Sequence, residues 1–145
     1  MNRRYGDRVD PAMRYVKRPG VYAILMRGSE ILLTYQAGIH HEFQLPGGGV
    51  DPGEHPLPAL HREVFEETGW GITSVRRIGF YRRFTFMPEY DLWAEKRCTI
   101  FAARPTRSLG PPSDEEHDAI WVSARLAPEL LASPGDAAML NDFLG

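Results

Sequence analysis

Apolar residues gather along this chain in short runs that read as strands, interrupted once by a stretch of helical period. Residues 20–26 (GVYAILM) are aliphatic, aromatic and β-branched, which predicts a buried strand. Arg27, Gly28 and Ser29 give a turn signal, and residues 30–35 (EILLTY) return as its hairpin partner. A loop over 36–42 carries His40 and His41. The chain then enters a glycine loop at Gly47, Gly48 and Gly49. Pro56 and Pro58 suit the first turn of a helix, where missing N–H groups cost little. That helix is expected to reach Thr68, with Gly69 as its cap and Leu57, Leu60 and Val64 as its core stripe.

Beyond the helix, residues 70–86 read as one long or bent strand, or as two. Residues 87–95 (MPEYDLWAE) read as an excursion and 96–103 (KRCTIFAA) as a strand. A Pro/Gly loop over 105–116 leads to a short strand at 119–122 (AIWV). Ser123 is placed to cap a helix near 126–132, and 136–144 predicts a last short helix. Residues 1–18 are polar and irregular and are expected to form an N-terminal arm on a single domain at 19–145. Strands on both sides of one internal helix, with a terminal helix, suggest an α/β fold with a mixed sheet between helices.

The internal helix carries the chemistry. Each helical residue turns the chain by about 100°, so Glu63, Glu66 and Glu67 share one face at i, i+3 and i+4. Like charges so placed repel by a few tenths of a kcal/mol per pair. No lysine or arginine follows at i+4 to offset them. Carboxylate oxygens are the ligands that hard divalent cations prefer, and a solvated acidic face is the alternative. The acidic face lies beside the apolar stripe, so the helix presents it at an edge.

The surroundings decide between the two. Gly48, Glu54, Arg62, Glu63, Val64, Glu66, Glu67, Gly69 and Trp70 stand in an order and spacing that resembles the signature of the Nudix hydrolase family. Eight of these nine positions match; Trp70 departs, because the family usually has an aliphatic residue there. The signature covers about a sixth of the chain. The resemblance implies an α/β/α sandwich with a mixed β-sheet. It also implies Mg²⁺-dependent (or Mn²⁺-dependent) hydrolysis of a diphosphate linked to another group X, with water attacking phosphorus. Glu66 and Glu67 would be direct metal ligands. Glu63 would be a ligand or the base that takes the proton from water, and the Gly47 carbonyl would complete the metal shell. Arg62, on a different part of the helix, would pair with Glu54 to lock loop against helix. A further metal carboxylate is expected from Glu115 or Glu116, with Glu115 favoured. Because the signature carboxylates are all present, an enzyme is expected; the alternative is a non-catalytic Nudix-fold nucleotide-binding or regulatory protein.

Composition narrows the partners. A net charge of −2 argues against a broad nucleic-acid binder. With 43% hydrophobic and 25% charged residues the chain should be globular. Cys98 is the single cysteine, so no disulfide can form within the chain. No signal peptide and no run of about 20 apolar residues is visible, which leads to an expectation of a cytoplasmic protein. A small-molecule nucleoside diphosphate derivative is the expected substrate, and a homodimer is left open. Tyr22, Arg77, Arg82, Phe84, Tyr90 and Trp93 are the candidates for contact with X, since rings stack bases and arginines grip phosphates. Core and surface filler is the plainer reading of the same side chains.

Overall fold

In a computed structural model that describes residues 3–145, the chain forms eight strands and three helices. In chain order these are β1 (Arg3–Gly6), β2 (Val16–Arg27), β3 (Glu30–Gln36), β4 (Glu42–Gln44), β5 (Gly47–Gly49), α1 (Pro56–Thr68), β6 (Trp70–Met87), β7 (Leu92–Ser108), β8 (His117–Ser123), α2 (Ala127–Leu130) and α3 (Pro134–Leu144). β2 and β3 meet as a hairpin only at Met26–Ile31 and Arg27–Glu30. They then diverge. β2 runs parallel to β7 from Val16–Ala94 to Leu25–Ala103, while β3 pairs antiparallel with β4 and β8. The central strands are apolar on both faces because both faces are covered.

On one face Val21, Ala23, Leu25 and Phe101 pack against Ala59, Leu60 and Val64 of α1. On the other, Ile24, Tyr81, Cys98 and Ile100 pack under Ala127, Met139 and Leu140 of the two later helices and Leu131 between them. The result is the expected α/β/α sandwich with a mixed sheet. Leu57 is 47% exposed and does not belong to the α1 stripe; Ala59 takes its place. Tyr81 ties α3 to β6: its hydroxyl donates to Asp136 and lies 3.0 Å from Ser133 Oγ.

Several expected boundaries move, each for a visible reason. Residues 1–18 are not all irregular. β1 pairs parallel with β6 at the sheet edge, and β2 begins at Val16. The excursion after Met87 shrinks to a turn over 88–91, because Met87–Leu92 and Phe86–Trp93 continue the β6–β7 ladder. β7 also runs on through Pro105 to Ser108; the register shift near Ile72 accommodates a proline, which cannot donate to the ladder. Ser123 caps no helix. It ends β8, and α2 is cut to four residues starting just before Pro128. α3 starts earlier than expected, with Ser133 Oγ accepting from the Asp136 N–H at 3.3 Å.

The glycine loop is the most consequential change. Residues 47–49 form β5 and pair with Tyr22, Val21 and Gly20 of β2. A Cβ on Gly47 would lie 2.1 Å from the Val21 carbonyl oxygen and 2.6 Å from Tyr22 Cα, at a φ of 151°. Only glycine lets the two backbones approach this closely. Gly47→Ala should therefore destabilise the fold by about 2–4 kcal/mol, from overpacking against rigid backbone together with an unfavourable φ. Urea unfolding of the variant against the parent protein measures this; a change within 0.5 kcal/mol, the order of an ordinary surface substitution, would refute the close approach.

Candidate active site

One guanidinium organises the acidic edge of α1. Arg62 Nε and Nη2 donate to the two carboxylate oxygens of Glu54, each at 2.8 Å. This bidentate fork pins the loop after β5 to the helix, as expected. Arg62 Nη2 also reaches the Gly49 carbonyl at 3.3 Å, and Nη1 donates to Glu63 at 2.9 Å and Glu66 at 3.4 Å. Arg62 is thus not set apart from the carboxylates. It is the counter-charge that the i+4 position lacks, supplied from i−1 and i−4 instead. The pairing holds Glu54 well below the usual carboxylate range, at about 2, chiefly through the Arg62 hydrogen bonds.

The three signature glutamates differ in environment. Glu66 is half-exposed, Glu63 is mostly covered and Glu67 is buried. Burial pushes Glu67 well above the ordinary carboxylate value; a hydrogen bond from the Gly47 N–H at 3.1 Å works against this, and the neighbouring Glu63 adds to it. Burial also raises Glu63, against the pull of Arg62. Gly48 leaves room for Glu63, whose carboxylate would stand only 2.5 Å from a Cβ there. So Gly47 and Gly48 each meet one signature carboxylate.

In the later loop Asp114, rather than Glu115 or Glu116, is bonded to the end of α1. Asp114 N–H donates to the Glu66 carbonyl at 3.0 Å, and its charge raises Glu67. Glu115 is exposed and makes no side-chain hydrogen bond or ion pair among the described residues. Glu116 turns toward Gly38 in the β3–β4 turn. Hydrogen bonding to the last turn of α1 begins at Asp114, which is why the contact falls one residue early. His117, buried at the start of β8, brings Nε2 to 3.5 Å from Glu67 and 3.8 Å from Asp114. Desolvation lowers its pKa. Sequence spacing alone held no signal for this histidine beyond its place beside the acids.

These groups open into a cleft of about 870 Å³. Gly47, Gly48, Glu54, Glu63, Glu67 and His117 line one end. Tyr22, Tyr81, Cys98, Lys96 and Arg83 form its floor, and Ser133 and Asp136 close the side under α3. At the mouth His40 Nε2 meets Glu89 at 2.6 Å, joining the β3–β4 turn to the β6–β7 turn, and Arg18 lies over the Tyr90 ring at 4.5 Å. Of the side chains proposed to meet X, Tyr22 and Tyr90 line the cleft. Arg77 lies in a separate depression beside Met139 and Phe143. Arg82 and Phe84 alternate with Tyr81, Arg83 and Thr85 along β6 and so point to the opposite face. Phe84 packs edge-on against Tyr15, and Trp93 against Tyr15 and Phe86. Trp70, the departure from the signature, stacks edge-to-face on Trp121 with Arg27 over that ring at 4.0 Å. The change is absorbed in packing.

The fold and this edge together define a class. A NUDIX domain family model matches residues 16–143, and the chain belongs to the Nudix family. It is similar to the putative 8-oxo-dGTP diphosphatase of Bacillus subtilis, 31% identical over 124 residues, covering 86% of this chain and 78% of that protein. It matches an RNA pyrophosphohydrolase of Helicobacter pylori at 44% over 57 residues, 36% of this chain and 37% of that protein. It also spans 31% of an 8-oxo-(d)GTP phosphatase of Mycolicibacterium smegmatis. Among solved structures, a NUDIX hydrolase from Nitrosomonas europaea superposes with a TM-score of 0.71 at 21% identity, covering 88% of each chain. The E. coli ORF135 protein superposes at 0.64 with 26% identity, covering 90% of each chain. As a Nudix hydrolase the chain acts on phosphoanhydride bonds, and such enzymes generally use divalent metal ions. Among the described residues no helix is long and apolar enough to cross a membrane.

The opposite shifts of Glu67 and Glu54 contribute with opposite signs to the pH behaviour of the metal-free protein. A raised folded pKa contributes stability below the unfolded value, 4.5, and that contribution is lost as pH rises through the folded value. A lowered one contributes above 4.5 and is lost as pH falls toward about 2. Glu67→Gln keeps the acceptor for Gly47 and removes the buried charge. It should raise the metal-free melting temperature at pH 7 by a few degrees, on the scale of about 2–4 °C per kcal/mol, and leave it unchanged near pH 4. Glu54→Gln should lower it at pH 7, with the difference vanishing toward pH 2. Calorimetric scans across this pH range check both signs.

Proposed function

We propose that this protein is a Mg²⁺- or Mn²⁺-dependent pyrophosphohydrolase acting on a nucleoside diphosphate linked to a further group, in the cytoplasm. One observation carries the reading: the carboxylate edge of α1 opens, beside two glycines that admit close approach, onto a cleft of small-molecule size. The donor set suits a hard divalent cation. Glu63, Glu66, Glu67 and Asp114 are all oxygen donors crowded at one edge, and Arg62 is shared among Glu54, Glu63 and Glu66. Among the described residues no three such side chains already converge as a closed metal site. Their present partners are Arg62, Gly47 and His117.

Glu66 and Glu67, with the Gly47 backbone, would hold the ion, and Glu63 would join them as a ligand or serve as the base. When bound, such an ion neutralises phosphoryl oxygens, lowers the pKa of a coordinated water and aligns in-line attack. The chain's own groups supply the remainder. Glu63, raised by burial, is a stronger base than a free carboxylate and fits the role of accepting the proton from the attacking water. Arg62 keeps the α1 edge registered against the loop through Glu54, so Glu63 and Glu67 stay facing the cleft. Tyr22 on the floor and Tyr90 at the mouth offer rings to a base. The names of the relatives in Bacillus subtilis and Helicobacter pylori support a nucleotide or nucleotide-ended substrate. The intact trio of glutamates disfavours a purely binding protein.

Glu66→Gln or Glu67→Gln should lower kcat at least about 100-fold, the scale of removing a direct electrostatic stabiliser of the transition state, with the fold retained. Asp114→Asn should weaken activity or metal affinity more than Glu115→Gln. Steady-state kinetics with Mg²⁺ on a panel of nucleoside diphosphate derivatives, beside metal-binding calorimetry, reads both comparisons. Near-normal turnover in a folded Glu66 or Glu67 variant would sink the assignment. Absence of turnover on every diphosphate with Mg²⁺ or Mn²⁺ would favour the binding-protein reading.

A further inference from the structure

Three cations stand in register from the cleft floor to its mouth, away from the signature glutamates. Arg18 of β2 is paired with Lys96 of β7, and Lys96 with Arg83 of β6. Directly opposed residues on neighbouring strands project to the same face, and all three line the cleft. Like charges opposed in this way destabilise a sheet unless something offsets them. Among the described residues no carboxylate stands within ion-pair distance of any of the three. Two acids at the mouth, Glu42 and Glu89, are taken by His40. Asp136 lies close enough to feel Lys96 and Arg83, yet accepts its hydrogen bond from Tyr81.

A second observation is independent of the charge count. The Nε–H of Arg83 is buried and has no hydrogen-bond partner. Buried donors of this kind are seldom left orphaned, because the lost solvation is not recovered. A solvated basic face would leave that N–H wet. Arg82 Nε, on the opposite face, is likewise without a partner, but only Arg83 lines the cleft, where a guanidinium beside a lysine is suited to an anion.

The row is also offset from the diphosphate end. Gly48, whose Cβ position touches Glu63, is paired with Val21. Val21 is three residues along β2 from Arg18, a run of roughly 10 Å at strand spacing. Phosphates held at the glutamates therefore do not lie on the row. We infer that Arg18, Lys96 and Arg83 bind a phosphate group of the substrate other than the two that flank the cleaved bond. The word substrate rests on the hydrolase reading above; the anion site itself does not. That phosphate is either the third of a triphosphate chain or one carried on the far side of X.

The binding test is run without metal, so that it is independent of turnover. Inorganic tripolyphosphate is titrated calorimetrically into the full chain in the presence of a chelator. Arg83→Gln and Lys96→Gln should each weaken binding about tenfold, the scale of one hydrogen bond to a charged group, while Glu66→Gln should not. Circular dichroism checks folding, and Arg18→Gln, at the cleft mouth, supplies the same comparison if either floor variant fails to fold. Equal tripolyphosphate affinity in the parent and the folded variants overturns the inference. With Mg²⁺ present, a KM increase confined to nucleoside triphosphates assigns the site to the third phosphate. An increase confined to diphosphates whose nucleoside bears its own 2′- or 3′-phosphate assigns it to X. An equal increase for plain nucleoside diphosphates overturns the separation from the metal end. If the parent protein turns over nothing, the hydrolase reading fails and the metal-free titration still decides the anion site.

Discussion

The site depends on one cation distributed among several anions. Arg62 satisfies both oxygens of Glu54, touches Glu63 and Glu66, and caps the Gly49 carbonyl. In doing so it joins three pieces of chain: the end of β5, the loop before α1 and the middle of α1. A planar, always-charged fork with five donors is the side chain that can do this; a lysine has no such reach to paired oxygens. The carboxylates in turn hold the guanidinium charged, raising its pKa through Glu54 first. The clasp and the acidic edge of α1 therefore share Glu63 and Glu66, while Glu67 stands outside it, held by the Gly47 N–H.

The second constraint is the sheet register. Besides its short hairpin with β3, β2 has two partners with different roles: β7 on one side extends the floor, and β5 on the other delivers the glycines to α1. Positions along β2 alternate between these tasks. Val21, Ala23 and Leu25 feed the core under α1, and Tyr22 and Arg18 face the cleft. A slip by one residue would exchange the two sets, placing aliphatic side chains in the cleft and a tyrosine and an arginine under the helix.

The sequence was most legible where its meaning is local. The length of α1, its Gly69 cap at φ 75° and the shared face of the three glutamates all follow from helical period and capping rules. The Arg62–Glu54 pair came through family resemblance. Tertiary effects were not legible. Residues 47–49 have no β propensity, and only the Tyr22–Gly47 approach explains why they are a strand. Arg83 rather than Arg82 faces the cleft because of strand parity, which depends on a register that sequence does not print. Arg62's contact with Glu63 was hidden because residues at i and i+1 do not normally face each other; a long side chain curled back by Glu54 overcomes this. That Asp114, rather than Glu115, is bonded to the end of α1 was not legible, because a loop's hydrogen bond to a distant helix leaves no periodic trace.

That loop has a further consequence. Its first residue is bonded through Leu109 N–H to the Gly69 carbonyl at 2.8 Å, and its last through Asp114 N–H to the Glu66 carbonyl at 3.0 Å. Both anchors lie on the closing turn of one helix. Residues 110–113 therefore form a short tethered bight whose two ends are clamped side by side. Added length there would bulge outward, at a closure cost that grows only slowly with residue number. The acid at its far end would keep its place. Evolution can thus vary this stretch of surface while the distance from Asp114 to the glutamates stays fixed.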